Sequence, residues 1–253
     1  MEDHKKDIID RFMTNVKGKS YNNKTKTHHG SEGYWLEMLM GIKNNNANEP
    51  DIYGYEMKKN SAKISLGDFS ASEYLFSPKK EMLSMNHNIS KTDFIHYFGS
   101  PNKNKSNRYS WSGHCVPKYG DYNDYGQILE FDDHNNLCII YSYEKDQRVD
   151  KSKLPEFLKI EPIIIAIWKK DKLKYNIENK FNKQGFFICK KNAANIYDKI
   201  CFGKPFDFEH FVENVKVRNI IFDSGMYEGN NRNYSQFRCR KDFWNLLIIQ
   251  EYS

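Results

Sequence analysis

Apolar residues recur at helical spacing in two early stretches of the chain, and at strand spacing or in short runs through the remainder. The helical spacing predicts helices over residues 8–16 and 34–42, and Ser31 is a suitable N-cap for the second. The other apolar segments predict strands over residues 52–58, 64–76, 163–168, 186–189, 215–222 and 236–240. We therefore predict a mixed α/β fold.

Turn residues predict how some of these elements connect. Residues 128–131 and 137–143 flank an Asp- and Asn-rich segment, which is typical of a β-hairpin. The buried run 163–168 is expected to pair with 186–189. Residues 193–202 are expected to form a helix that ends before Gly203.

The length and charge of the chain exclude several classes of protein. A chain of 253 residues can bury one sizeable core, and we expect a single domain over residues 1–253. No apolar run approaches the roughly 20 residues that cross a bilayer, and the first residues form no signal peptide. The five cysteines are scattered, as in proteins with reduced thiols. These features predict a cytoplasmic protein, and a net charge of +6 is compatible with a polyanionic partner.

The most informative segment carries Asp51, Glu56 and Lys58. On a strand, side chains alternate between faces, so Glu56 and Lys58 point the same way. Two carboxylates can hold Mg²⁺ against a scissile phosphate, and a lysine can orient or deprotonate the attacking water. The segment therefore predicts a site for metal-dependent phosphodiester hydrolysis.

A second segment with similar spacing has Asp171, Glu178 and Lys180. Its surroundings, residues 169–179, are rich in Lys and Asn and predict a solvated hairpin or loop. We therefore favour the cluster at residues 51–58, where apolar residues frame the charged ones.

Glu37 lies in a predicted helix that is apolar on nearly every side. An ionised carboxylate in such a place is destabilising unless a cation or hydrogen bonds compensate. Glu37 either occupies a solvent-facing stripe or faces the strand carboxylates and the lysine.

Residues 30–41, Asp51 and the segment 54–58 together resemble the MutH-like type II restriction endonucleases of the MvaI/BcnI group, within the PD-(D/E)xK nuclease superfamily. The resemblance implies a restriction-endonuclease-like fold with catalytic and DNA-recognition lobes, and a catalytic core at about residues 30–80. It places the helix glutamate, the aspartate and the Glu-x-Lys arm of the family on Glu37, Asp51, Glu56 and Lys58. In this assignment Asp51, Glu56 and Glu37 support Mg²⁺, and Lys58 activates water.

The C-terminal segment 223–238 is similar to the Gly-x-Tyr…Phe-Arg segment of the same group, although its Asn-rich loop lacks the histidine and lysine of the family. The resemblance further implies cleavage of double-stranded DNA at a short site, of CCNGG type, which leaves 5′-phosphates. It also implies a monomer and a DNA methyltransferase in the same system.

Base readout requires side chains that present donors and acceptors to base edges. Residues 104–114 and 232–240 carry suitable side chains. Each segment is equally compatible with a solvated loop whose charges interact only with DNA phosphates. The candidates for DNA binding are Arg108, His114, Arg232, Asn233, Gln236, Arg238 and Arg240.

Two alternatives to a restriction enzyme remain open from the sequence. The first is a repair endonuclease of the MutH type that nicks one strand. The second is a non-catalytic DNA-binding regulator whose carboxylates are structural.

Overall fold

The computed structural model describes residues 2–21, 31–43, 48–81, 83 and 89–253. Residue 30 and residues 44–47 of the expected catalytic core lie outside these ranges. The helices are α1 Glu2–Asn15, α2 Ser31–Leu39, α3 Lys91–Phe98, α4 Lys170–Phe181, α5 Phe208–Lys216 and α6 Lys241–Leu247. The strands are β1 Glu56–Lys59, β2 Lys63–Asp68, β3 Glu73–Tyr74, β4 Ser100–Asn102, β5 Arg108–Trp111, β6 Tyr125–Phe131, β7 Leu137–Asp146, β8 Ile163–Trp168, β9 Phe186–Lys191, β10 Tyr197–Gly203, β11 Ile220–Asp223, β12 Met226–Tyr227, β13 Gln236–Arg240 and β14 Ile248–Tyr252.

The chain divides into two compact units, each assembled from separate stretches of sequence. Unit 1 comprises Met1–Ile64, Tyr175–Phe211 and Cys239–Ser253, and unit 2 comprises Ser65–Lys174 and Val212–Arg238. The expectation of a single domain over residues 1–253 stays a prediction. Among the helices in the described ranges, none combines the length and the hydrophobicity that a membrane span requires.

Unit 1 is built on a four-stranded sheet with the order β1-β9-β10-β14. β1 runs parallel to β9, whereas β10 is antiparallel to both of its neighbours. One face of the sheet and the helices α1 and α2 enclose a buried cluster that includes Phe12, Leu36, Met57, Phe187 and Phe202. Burial of these large side chains is the main force that fixes α2 against β1.

Unit 2 contains a four-stranded sheet with the order β3-β8-β7-β6 and a three-stranded sheet with the order β12-β5-β4. β6 and β7 pair in antiparallel register from Phe131↔Leu137 to Tyr125↔Asp146, which confirms the predicted hairpin. A further three-stranded sheet has the order β11-β13-β2.

Three predictions about secondary structure were wrong. Residues 163–168 pair with β7 and β3 instead of 186–189, which pair with β1 and β10. The helix expected over 193–202 is absent, because Asn195 adopts φ +62° in a turn and β10 follows. The strand expected over 215–222 begins only at Ile220, since α5 extends to Lys216.

The prediction of a solvated hairpin or loop over residues 169–179 was also wrong, because residues 170–179 belong to α4. Leu173, Ile177 and Phe181 recur every four residues and are fully buried. The Lys and Asn side chains between them occupy the other faces of an amphipathic helix.

Candidate active site

A tight turn sets the spacing between Asp51 and Glu56. Ile52 and Tyr55 form an isolated antiparallel bridge and exchange both backbone hydrogen bonds, at 3.1 and 2.8 Å. The central residues Tyr53 and Gly54 have φ of +50° and +84°, as in a type I′ turn. Asp51 and Glu56 are the residues next to this bridge, so their carboxylates lie on opposite arms of the turn.

Glu56 is the centre of the charged cluster in unit 1. It begins β1 and is only 4% exposed. Its Oε1 atom accepts from Lys58 Nζ at 2.8 Å and lies 3.1 Å from Lys180 Nζ. The other carboxylate oxygen, Oε2, is buried and has no hydrogen-bond partner among the described residues. Two cations thus hold the carboxylate through one oxygen and leave the second free.

Asp51 accepts a hydrogen bond from the backbone N–H of Met57 at 2.8 Å, which orients its side chain. Burial of the carboxylate and the nearby charge of Glu56 raise the pKa of Asp51 to about 7. The hydrogen bond and the charges of Lys58 and Lys180 act in the opposite direction. A carboxyl group in this state binds a proton or a cation readily at neutral pH.

Lys58 is 9% exposed, and its Nζ lies 5.3 Å from the ring centre of Phe181 and 5.9 Å from that of Trp244. Burial among these rings lowers the pKa of Lys58, and the neighbouring charge of Lys180 lowers it further, whereas Glu56 raises it. A lysine with a lowered pKa is neutral more often than an ordinary lysine and so is a better proton acceptor.

Glu37 lies on α2 and is half-buried. Burial and the charge of Glu56 raise the pKa of Glu37, while Lys58 and Lys180 lower it. These interactions place Glu37 within the electrostatic range of the same cluster, so the alternative of a purely solvent-facing stripe is disfavoured.

The first turn of α2 is tied to the sheet by Glu32. Its Oε2 lies 3.0 Å from Lys59 Nζ, and its Oε1 accepts from the Tyr197 hydroxyl at 3.1 Å and pairs with Lys191. These partners lie on β1, β9 and β10. The helix that carries Glu37 is therefore anchored to three strands.

Sequence reasoning missed Lys180, which was assigned to a solvated loop. It lies in the last turn of α4, and its side chain is 14% exposed. The helical spacing of the apolar residues in α4 was the available signal, since it predicts a buried helix face.

The donor set fits a hard divalent cation. Within the residues that the structure describes, no three His, Cys, Asp or Glu side chains converge as a preformed metal cage. Mg²⁺, however, is usually bound through one or two carboxylates together with water and substrate phosphates. The buried Oε2 of Glu56, which has no partner among the described residues, and the carboxylate of Asp51, whose ionised form a bound cation would favour, would supply two such ligands.

The raised pKa of Asp51 predicts a pH-dependent effect of Asp51→Asn on stability. In the folded protein the Asp51 carboxyl keeps its proton up to about pH 7, whereas in the unfolded chain it releases the proton at about pH 4. The free energy of unfolding of the metal-free protein therefore falls, relative to Asp51→Asn, as the pH rises through this interval. Urea unfolding in EDTA provides the measurement. The free energy of unfolding of Asp51→Asn, relative to that of the wild-type protein, should be about 2 kcal/mol higher at pH 8 than at pH 5.

Asp171→Asn, at an exposed site on α4, is the matched control, and its effect on stability should be the same at both pH values. A pH-independent effect of Asp51→Asn would contradict the assignment of the raised pKa.

Among the predicted DNA-binding residues, Gln236 and Arg238 share one face of β13. Arg238 donates from Nε and Nη2 to Gln236 Oε1 at 3.1 and 2.5 Å, and its Nε lies 3.0 Å from Asp223 Oδ2. Both side chains are partly exposed, whereas the alternate residues Phe237 and Cys239 are buried.

Arg232 and Asn233 lie in the loop before β13. The Arg232 guanidinium stacks over the Tyr234 ring at 4.6 Å and lies 3.4 Å from Asp68, yet its side chain is 68% exposed. The Asn233 carbonyl oxygen accepts from the Ser70 hydroxyl at 3.0 Å, so the backbone of this loop is fixed.

Arg108, His114 and Arg240 occupy three different elements. Arg108 lies on β5, and its guanidinium is 3.7 Å from the centre of the Tyr227 ring. His114, in a short 3₁₀ turn, contacts the Tyr125 hydroxyl through Nε2 at 3.2 Å. Arg240 is exposed at the end of β13. All seven candidates except Arg240 belong to unit 2, whereas the carboxylates and lysines of the cluster belong to unit 1.

A mixed sheet whose edge strand carries a carboxylate and a lysine, with a second carboxylate before the turn that leads into it, is typical of nucleases with the restriction-endonuclease-like fold. The sequence matches the family of the LlaMI restriction endonuclease over residues 13–252. It is 39% identical over 266 aligned residues to the type II restriction enzyme ScrFI of Lactococcus lactis subsp. cremoris, and the alignment covers 98% of each protein. The structure is similar to that of the restriction endonuclease MvaI in a complex with its cognate DNA substrate, with a TM-score of 0.61, 13% identity and coverage of 98% of this chain and 95% of that one.

The chain belongs to the LlaMI restriction endonuclease family. It is a type II restriction endonuclease, that is, a site-specific deoxyribonuclease that binds DNA. The predicted fold class and enzyme class are thereby confirmed. Type II restriction endonucleases generally use divalent metal ions.

Proposed function

We propose that this enzyme hydrolyses double-stranded DNA at a short site of CCNGG type, with Mg²⁺, and leaves 5′-phosphates. The reaction takes place at the cluster of Glu37, Asp51, Glu56 and Lys58. The observation that carries this proposal is the buried carboxylate of Glu56, which has one oxygen held by two lysines and the other without a partner among the residues that the structure describes.

In this proposal Asp51 and Glu56 hold the metal, and Glu37 supports the site from α2. Mg²⁺ bound there supplies Lewis-acid polarisation of the scissile phosphate. The residues of the chain orient the reacting groups: the turn at Tyr53 and Gly54 fixes the two carboxylates, and β1 directs Glu56 and Lys58 to one face.

Lys58 orients the attacking water and accepts its proton, because its lowered pKa favours the neutral amine more than in an ordinary lysine. Lys180 supplies a second positive charge beside Glu56, which favours the negative charge that accumulates on the phosphate. Lys180 thus extends the set of catalytic candidates beyond those predicted from the sequence.

For DNA recognition we propose Arg108, His114, Arg232, Asn233, Gln236, Arg238 and Arg240. The exposed amide and guanidinium groups of β13 suit major-groove edges, because Arg pairs with guanine and Gln with adenine. We further propose that the enzyme acts as a monomer in the bacterial cytoplasm, beside a methyltransferase that protects the host sites.

The identity to a named type II restriction enzyme over 98% of both proteins favours this function over a repair nickase or a non-catalytic regulator. Supercoiled plasmid DNA with one target site tests the choice. We expect Mg²⁺-dependent conversion of the supercoiled form to the linear form. A reaction that stops at the open circle would indicate a nickase, and binding without any cleavage would indicate a regulator.

A further inference from the structure

The first helix contacts both segments that carry the catalytic carboxylates. Arg11 on α1 donates from Nη1 to the carbonyl oxygen of Met40 at 3.1 Å, and from Nη2 to the Tyr53 hydroxyl at 3.4 Å. Met40 directly follows α2, the helix of Glu37, and Tyr53 lies in the turn between Asp51 and β1. One guanidinium therefore joins the end of the helix to the turn.

The position of Arg11 is itself fixed by its neighbours in unit 1. Its Nε donates to Asp7 Oδ2 at 2.8 Å, one helical turn earlier. The residue beside the contact is Gly41, with φ +69°, and a Cβ atom there would lie 2.7 Å from Arg11 Nη1. The chain thus leaves room for the guanidinium at the point where α2 ends.

The turn that Arg11 contacts has a conformation that a large side chain rarely adopts. Tyr53 is in the left-handed region with φ +50°, where glycine or asparagine is preferred. Its ring stacks on His4 of α1, with centroids 4.4 Å apart and planes 7° apart, and the Arg11 guanidinium lies 5.8 Å from the ring centre. A disfavoured conformation persists only where surrounding contacts enforce it, and such residues cluster at active sites.

We propose that Arg11 is a positioning residue, which sets the placement of Glu37 relative to the carboxylate pair by holding Met40 and Tyr53 at once. This inference rests on the proposed roles of Glu37, Asp51 and Glu56. A displacement of about 1 Å in a reacting group can lower a rate about a hundredfold, so a partly released turn should slow the chemical step.

Arg11→Met tests this inference, and Lys6→Met is the matched control, because Lys6 is an exposed cation on the same helix. We expect Arg11→Met to lower kcat about tenfold and to raise the Mg²⁺ concentration for half-maximal rate, with KM for DNA within about twofold of wild type. Lys6→Met should match the wild-type protein in all three quantities. Arg11→Lys, which keeps the charge without the planar fork, provides the same readouts should Arg11→Met fail to fold.

A double-mutant cycle with Tyr53→Asn separates positioning from general stabilisation. Asparagine tolerates the backbone conformation of the turn but removes the ring that Arg11 and His4 contact. If Arg11 acts through the turn, the loss of kcat in Arg11→Met/Tyr53→Asn should be clearly smaller than the product of the two single losses.

A kcat for Arg11→Met within about twofold of wild type would overturn the inference, and so would a loss confined to KM, which would indicate a DNA contact. Asp51→Asn distinguishes a failure of the positioning role of Arg11 from a failure of the proposed catalytic site. An inactive Asp51→Asn beside an unaffected Arg11→Met refutes the positioning role alone, whereas an active Asp51→Asn refutes the proposed site together with it.

Discussion

Glu56→Gln is expected to lower the single-turnover rate of DNA cleavage at least about a thousandfold, which corresponds to about 4 kcal/mol of transition-state stabilisation. The glutamine amide would present N–H groups to a site that now holds Lys58 and Lys180 through one carboxylate oxygen. It would also remove the charge of the second oxygen, the proposed metal ligand, which has no hydrogen-bond partner among the described residues. The measurement is quenched-flow cleavage of a labelled duplex in saturating Mg²⁺.

Glu49→Gln is the control for this variant, because Glu49 is exposed and precedes the cluster in the same segment. It should cleave at the wild-type rate. Binding of the duplex in Ca²⁺ and the circular dichroism spectrum should be retained in both variants. A rate for Glu56→Gln within tenfold of wild type would show that this carboxylate is not a metal ligand.

Lys58→Met is expected to have the next largest effect, a loss of about a hundredfold to a thousandfold in kcat, because it removes the proposed proton acceptor. Lys58→Arg should be as impaired, since a guanidinium stays protonated at any working pH. Cleavage rates from pH 6 to pH 10 under single-turnover conditions provide the measurement.

Lys180→Met gives the matched comparison for Lys58→Met. Its charge lowers the pKa of Lys58, so its removal should raise that pKa and shift the rising limb of the pH–rate profile to higher pH. Lys58→Met should abolish that limb. An unchanged profile in both variants would mean that neither lysine governs the protonation step.

The candidate catalytic segment, residues 51–58, could be predicted from the sequence because its geometry is local. Strand alternation alone places Glu56 and Lys58 on one side, and a tight turn brings Asp51 near them. The helix of Glu37 was predicted from the same short-range pattern. It begins at Ser31, so this residue is the first of the helix instead of its cap.

The position of Lys180 beside Glu56 could not be predicted from local sequence, since it depends on two long-range arrangements. β1 pairs in parallel with β9, and α4 leads into β9, so the end of the helix meets the carboxylate of β1. The Lys- and Asn-rich composition of the segment favoured a loop, although its buried residues at four-residue spacing favoured a helix. Pairing between distant strands leaves no local trace in the sequence.

The strand partners of 163–168 were wrong for a related reason. This run and 186–189 are both short, apolar and almost entirely buried, and either could pair with several strands. Hydrophobicity predicts that such strands are central, but it does not specify their neighbours. The proposed DNA-binding residues are a similar case, because Gln236 and Arg238 bond to each other, and this pairing depends on a strand geometry that their residue types alone do not specify.

Cleavage of unmethylated phage DNA by the wild-type protein and by Asp51→Ala, in Mg²⁺ and in EDTA, tests the central claim most directly when the fragment ends are sequenced. The account predicts discrete fragments only for the wild-type protein in Mg²⁺, with 5′-phosphates and one shared short sequence at every end. Fragments of equal yield from Asp51→Ala, or cleavage that persists in EDTA, would contradict a metal-dependent site at Asp51 and Glu56.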